Sequence, residues 1–141
     1  MSISLRYGRR VLINAKYSNI KETKKEDFLE IIDYDPSRKV LLVIGSGEPK
    51  VETPLHWFIH HAREDVNAVI MINDVKLNEK LSNIPITEKE YPIWSFEQVK
   101  ETLKLLRENK NIVIRNQGVL FAGKGLKETE DLFFNVFEEL K

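Results

Sequence analysis

The chain has 141 residues, 42% of them apolar, enough to build one core of ordinary domain size. Its 22 basic residues balance 22 acidic ones, which removes any general attraction to nucleic acid or to an anionic membrane. With no cysteine it has neither a disulfide framework nor thiolate chemistry, and with no signal peptide and no apolar run of membrane-spanning length a cytoplasmic protein is expected.

In chain order, Ser2 to Tyr7 alternates in the manner of a strand, with Ile3 and Leu5 on one side. Gly8-Arg9 turns the chain into Arg10–Asn14, so a hairpin opens it. Thr23-Lys24-Lys25-Glu26 has the capping-box pattern and predicts one helical turn. Phe28–Asp33 and Val40–Ile44 read as strands around an Asp35-Pro36-Ser37 turn. Gly45 to Lys50 is a Gly-containing loop ahead of a helix. Such a loop either cradles an anion on free N–H groups or is a plain mobile connection, and it does not match a Walker loop.

The stretch from Glu52 to Asn73 carries the densest signal. Thr53 suits an N-cap and Pro54 the first helical position. Leu55, Phe58, Ile59 and Ala62 then recur at helical spacing. Ala68–Ile72 is a short apolar run bounded by polar residues, as a buried strand would be. Glu52 therefore stands at a helix N-terminus, and Met71–Asn73 ends a strand where open α/β sheets usually place their chemistry. All three histidines fall in this helix, His56 and His60 at i and i+4 with Glu52 one turn earlier. That stripe has metal-chelating spacing, but the zincin pattern is missing; the plainer reading packs His56 locally, exposes His60 or His61, and puts Trp57 in the core or a subunit contact.

Beyond it, Asp74–Leu81 predicts a short helix, and the prolines at 85 and 92 mark extended segments. Ser95-Phe96-Glu97-Gln98 is a second capping box, opening a helix with Val99, Leu103 and Leu106 on one stripe. Asn111–Arg115 and Val119–Ala122 predict two strands around an Asn-Gln-Gly turn. A last helix from about Leu126 buries Leu132, Phe133, Val136, Phe137 and Leu140. No repeat or second domain is visible, so residues 1–141 are expected to form one domain.

Glu52-Thr53-Pro54-Leu55-His56, then Ala62-Arg63-x-Asp65-Val66-x-Ala68-Val69, then Arg115-Asn116-Gln117-Gly118-Val119 with Gly123-Lys124, resemble the class II aldolase/adducin family across nearly the whole chain. That group includes zinc-dependent L-fuculose-phosphate and rhamnulose-phosphate aldolases and ribulose-phosphate epimerase. The resemblance implies a three-layer α/β/α sandwich with a mixed, largely antiparallel central sheet. It also implies that Glu52 matches the proton-transferring carboxylate. The family holds zinc by a His-x-His pair and by the histidine of an Asn-His-Gly turn. Those positions here are Met71, Asn73 and Gln117, poor zinc donors, so no zinc is expected.

Other departures follow from the same resemblance. Asn14–Ser18 stands at the family's Thr-x-Ser-Gly phosphate loop without its glycine, leaving Lys16 and Ser18 as candidate anion contacts against a solvated-loop reading. Lys50-Val51 replaces a phosphate-binding Ser-Ser pair, so Lys50 would offer a charge in place of hydroxyls. No tyrosine follows Tyr91, whereas family members carry a tyrosine or other acid late in the chain. The family's helical segment before the first hairpin has no counterpart in this sequence. One sheet side is therefore expected to be less covered, and a homo-oligomer would bury it.

Two functions follow as expectations. One is a non-catalytic relative, without a metal site, that binds a small anionic, sugar-phosphate-like ligand or acts in assembly, as adducin does. The other is a metal-independent carbon–carbon lyase or epimerase with Glu52 as acid/base, Lys16 or Lys50 on the anion, and Asn73 and Gln117 as oxyanion donors. Neither invokes nucleic acid or membrane.

Overall fold

The computed structural model describes residues 1–16, 24–81, 83–93 and 95–139. Seven strands form one sheet: β1 (Ser2–Tyr7), β2 (Arg10–Asn14), β3 (Phe28–Asp35), β4 (Val40–Ile44), β5 (Ala68–Ile72), β6 (Asn111–Ile114) and β7 (Gly118–Gly123), in the order β4-β3-β2-β1-β5-β7-β6. The helices are α1 (Thr53–Ala62), α2 (Lys76–Lys80), α3 (Phe96–Leu106) and α4 (Leu126–Glu139). Among the described residues no helix is long and apolar enough to cross a membrane.

The α/β class holds, but the expected mixed sheet does not. Every strand pair is antiparallel, and the parallel element described is a single bridge between Ile86 and Val113. The reason is connectivity. Three hairpins make antiparallel pairs directly, and the connection through α1 returns β5 beside β1 in the opposite direction.

Strand alternation distributes the core. Val69, Met71, Leu120 and Ile112 face α1 and α3, where they join Leu55, Ile59, Val99 and Leu106. Their neighbours Ile70, Phe121, Val119 and Val113 face the other way, toward Leu132, Phe133, Val136 and Phe137 of α4 and Leu77 of α2. Phe121 is fully buried and meets Phe133 edge-on at 5.7 Å. A third cluster of Ile13, Leu29 and Ile31 lies beneath Trp57, Leu41 and Val43. Trp57 thus packs in the core region, as read from sequence, and its ring meets Tyr34 and Phe58 edge-on.

Several boundaries shift for local reasons. β3 runs on to Asp35 through an irregularity at Ile32, which lets one extra residue in without losing pairing to β4. Thr53 is inside α1 rather than its cap, because its N–H already donates to Lys50 O (3.1 Å) and winds the turn one residue early. Ser95 caps α3 as expected, accepting from Gln98 N at 3.2 Å. The helical turn at Lys25–Asp27 is present as 3-10, with Asp27 accepting from Lys24 N (2.8 Å); Thr23 lies outside the described residues, as do Ser18, Trp94 and Leu140.

One glycine is required by space. A Cβ on Gly118 would stand 1.8 Å from Ile72 O and 3.0 Å from Asn73 Cα. Only glycine lets the β6–β7 turn press against the end of β5. Asn116 supplies the turn's left-handed residue, at φ 60°, and Gln117 N closes it on Ile114 O at 2.9 Å.

Candidate binding site around Glu52

The entry to α1, the exit from β5 and the β6–β7 turn converge. Glu52 is 4% exposed, and its Oε2 accepts a close hydrogen bond from Asn73 Nδ2. Gly118 abuts Asn73, so the backbone of the turn bearing Gln117 adjoins the same spot. The loop bearing Lys50 is tied to the loop after β2: Lys16 N donates to Glu48 O at 2.8 Å, and Gly47 packs where a side chain would strike Ala15. Lys50 Nζ and Asn14 Nδ2 both donate to Met1 O, at 3.0 and 3.1 Å. The Met1 amine is held below its ordinary value by burial first and by Lys50, with Glu52 opposing, so both charges bear on one place.

Of the residues singled out from sequence, Glu52 and Asn73 are in direct contact, Gln117 comes near through its turn, and Lys16 and Lys50 sit on two joined loops. Met71 is different. It is fully buried in the cluster formed with Leu55, Ile59 and Leu120, so its thioether is a core group. Nor does the Glu52–His56–His60 stripe gather a metal donor set: among the described residues no group of three His, Cys, Asp or Glu side chains is placed to hold an ion.

The fit to zinc can be judged from the donors themselves. A buried thioether, a carboxamide bonded to a carboxylate and a second carboxamide offer no imidazole or thiolate, and only Glu52 carries charge. These residues do not fit the zinc that the family resemblance implies.

The residues that sequence reasoning missed are serines. The polar face of β1, Ser2-Ser4-Arg6, is laid against α1. Ser2 Oγ lies 2.8 Å from His56 Nε2, and Ser4 Oγ lies 2.6 Å from His56 Nδ1 and 2.8 Å from His60 Nε2. His60 Nδ1 lies 3.3 Å from Val66 O. All four side chains are buried. One end fixes the rest: a carbonyl only accepts, so His60 carries its proton on Nδ1 and Nε2 must accept from the Ser4 hydroxyl. Ser4 Oγ then accepts from His56 Nδ1–H, and His56 Nε2 accepts from Ser2. Every imidazole nitrogen is used, with both rings neutral.

Electrostatics agree with that assignment. Burial pushes His56 down to about 3, with His60 and Lys50 adding to the effect; His60 falls to about 4 through burial and the nearby Arg6. Arg6 closes the seam by donating to the carbonyls of His60, Arg63 and Val66 at the C-terminal end of α1, where a cation is favoured. The expectation that His60 or His61 is exposed is met by His61, which stacks on Trp57 at 4.6 Å, while His60 turns inward. The signal for the seam was present as Ser at i and i+2 on a strand and His at i and i+4 on a helix.

Known proteins share this fold. The chain superposes on an L-fuculose 1-phosphate aldolase with a TM-score of 0.74 at 14% identity, covering 99% of this chain and 71% of that one. For the L-fuculose-1-phosphate aldolase of Thermus thermophilus the values are 0.69, 15%, 99% and 78%. For the N-terminal class II aldolase domain of a Thermoplasma acidophilum protein they are 0.68, 19%, 99% and 81%. At these identities the likeness is one of fold. Sequence comparison with curated proteins gives no significant match. The family model described as "Class II Aldolase and Adducin N-terminal domain" matches residues 1–72, the half of the chain that contains β1 to β5 and Glu52, and the chain therefore belongs to that family.

Proposed function

We propose that this protein is a non-catalytic member of its family that binds a small anionic ligand, of sugar-phosphate type, at the loops bearing Lys16 and Lys50 beside Glu52. The observation that carries the reading is the Asn73–Glu52 hydrogen bond. A carboxamide at the family's imidazole position is turned onto the carboxylate that would move a proton. It thereby occupies the base, and a neutral amide supplies none of the positive charge that stabilises an enediolate. Lys50, three residues before α1, and Lys16 on the adjoining loop offer positive charge near the N-terminus of α1, an end that favours anions. The same reading takes residues 1–141 as one three-layer α/β/α domain, a homo-oligomer working in the cytoplasm.

The test uses the sugar phosphate named for the fold relatives. L-fuculose 1-phosphate and inorganic phosphate are titrated into 15N-labelled protein, with cleavage of the sugar phosphate followed in parallel. Shifts confined to residues 14–16, 47–53 and 73, weakened at least fivefold by Lys50→Ala, with no cleavage, support the reading. Cleavage that Glu52→Gln abolishes would instead support the second function, a metal-independent lyase or epimerase. The retained buried carboxylate of Glu52 favours that alternative. Its cost is that Asn73, needed there as an oxyanion donor, already donates to the base.

A further inference from the structure

A cleft opens at the C-terminal half of α1, away from Glu52. Its floor is one row of the sheet: Arg6 pairs opposite Val11, and Val11 opposite Ile31, across β1, β2 and β3. Its wall is helical, because Trp57, His60 and His61 fall at i, i+3 and i+4 and share one side of α1. Trp57 and His61 stack with centroids 4.6 Å apart and planes within 9°, which makes that wall flat. Arg9, exposed in the turn between β1 and β2, lines the rim.

The charges around this space do not balance. No carboxylate among the described residues lines it. Glu30 and Asp65, on the elements around it, are engaged by Arg10 at 2.7 Å and by Arg63 at 2.8 Å. Arg6 donates through Nε and one Nη nitrogen, but only to backbone carbonyls, which carry no formal charge. Arg9 has neither hydrogen bond nor ion pair among the described residues. Two guanidinium groups thus line a space of about 170 Å³ with no counter-charge. That is room for one ring: a cavity of about 150 Å³ holds benzene, whereas drug-sized ligands need about 300–1,000 Å³.

We infer that this cleft binds a monocyclic aromatic carboxylate, its ring on Val11 and Ile31 against the Trp57–His61 stack and its carboxylate on the Arg9 guanidinium. Each part of the ligand answers one feature. The uncompensated arginines call for an anion, and the planar guanidinium fork matches the two oxygens of a carboxylate. The flat aromatic wall and the apolar floor suit a ring, and the volume limits it to one. Glu52 precedes α1 whereas this cleft lies at its other end, and neither Lys16 nor Lys50 lines it, so the inference is independent of the ligand proposed beside Glu52.

The test titrates benzoate into the 15N-labelled full chain at constant ionic strength. Saturable shifts are expected at the Trp57 indole N–H and at the amides of residues 9–11 and 60–61, with half-saturation below about 10 mM. Benzamide keeps the ring without the charge and acetate keeps the charge without the ring; each should bind about tenfold more weakly or worse. Arg9→Gln, in an exposed turn, should weaken benzoate by about tenfold or more, and Lys50→Ala should leave it unchanged. Shifts still linear in benzoate at about 10 mM would overturn the inference. So would benzamide binding as tightly as benzoate, or saturable binding that Arg9→Gln leaves intact. Shifts centred on residues 14–16 and 47–53, and lost in Lys50→Ala, would overturn it too by assigning the anion to the site beside Glu52.

Discussion

Acidification from pH 7 to pH 5 should destabilise this protein far more than its surface carboxylates account for, because His56 and His60 are folded in as neutral rings. Both are held below the ordinary histidine value of 6.5, to about 3 and about 4. A depressed folded-state value means that the unfolded chain takes up the proton first. The associated stability is complete above about pH 6.5 and is lost as pH falls toward the folded values. At pH 5 each ring is about 1.5 units below its unfolded midpoint. At about 1.4 kcal/mol per unit, that is about 2 kcal/mol each and about 4 kcal/mol together. For a domain of total stability about 5–15 kcal/mol this is a large fraction. Asp35, Asp65 and Glu128 are all shifted downward, so they titrate below this window. The Met1 amine is also lowered and acts in the same direction from pH 8 down. Urea unfolding at pH 7.5, 6.5, 5.5 and 5 should therefore be run beside His56→Gln and His60→Gln, which keep that amine. Each single variant should lose about half of the wild-type slope between pH 6.5 and 5. A wild-type stability flat over this interval, or a slope unchanged in both variants, would refute the neutral serine–histidine seam.

Three further changes probe the site. Gly118→Ala puts a Cβ into the Ile72 carbonyl; it should cost about 1–3 kcal/mol or more by chemical denaturation and shift the amide resonances around Asn73. Asn73→Ala removes the donor to Glu52 and leaves a nine-tenths buried carboxylate without it. A loss of about 1–3 kcal/mol is expected at pH 7 by urea denaturation, and an unchanged stability would contradict the pairing. Ser4→Ala strips a partner from both imidazoles at once. It should cost more than Ser2→Ala, by about 1–3 kcal/mol, in the same urea experiment.

Much of this structure is readable in the chain because alternation and capping are local. Ser2–Tyr7, Ala68–Ile72 and the helix from Ser95 depend on spacing that a sequence displays directly. The serine–histidine seam lies at the border of legibility. Ser2 and Ser4 share a strand face and His56 and His60 share a helix face, but that the two faces meet follows from the antiparallel pairing of β1 with β5, a long-range choice. The expected Thr53 cap failed because a backbone donor found Lys50 O first, which no residue preference reveals. Met71 illustrates a different limit. Alignment with a family pattern marks its position as a ligand site, while burial among Leu55, Ile59 and Leu120 makes it core. Glu52 and Asn73 were both singled out, as a base and as an oxyanion donor. Their contact shows that one group answers the other, and only distance could reveal that.

The most direct test of the central claim is the zinc content of the purified protein after a zinc soak and exhaustive desalting, measured by elemental analysis. The account predicts well under one tenth of an equivalent per chain, unchanged by Asn73→Ala. Replacing Met71, Asn73 and Gln117 together by histidine should raise it toward one. Near-stoichiometric zinc in the natural chain, lost on Glu52→Gln or His56→Gln, would contradict the account and return the family's metal chemistry to this site.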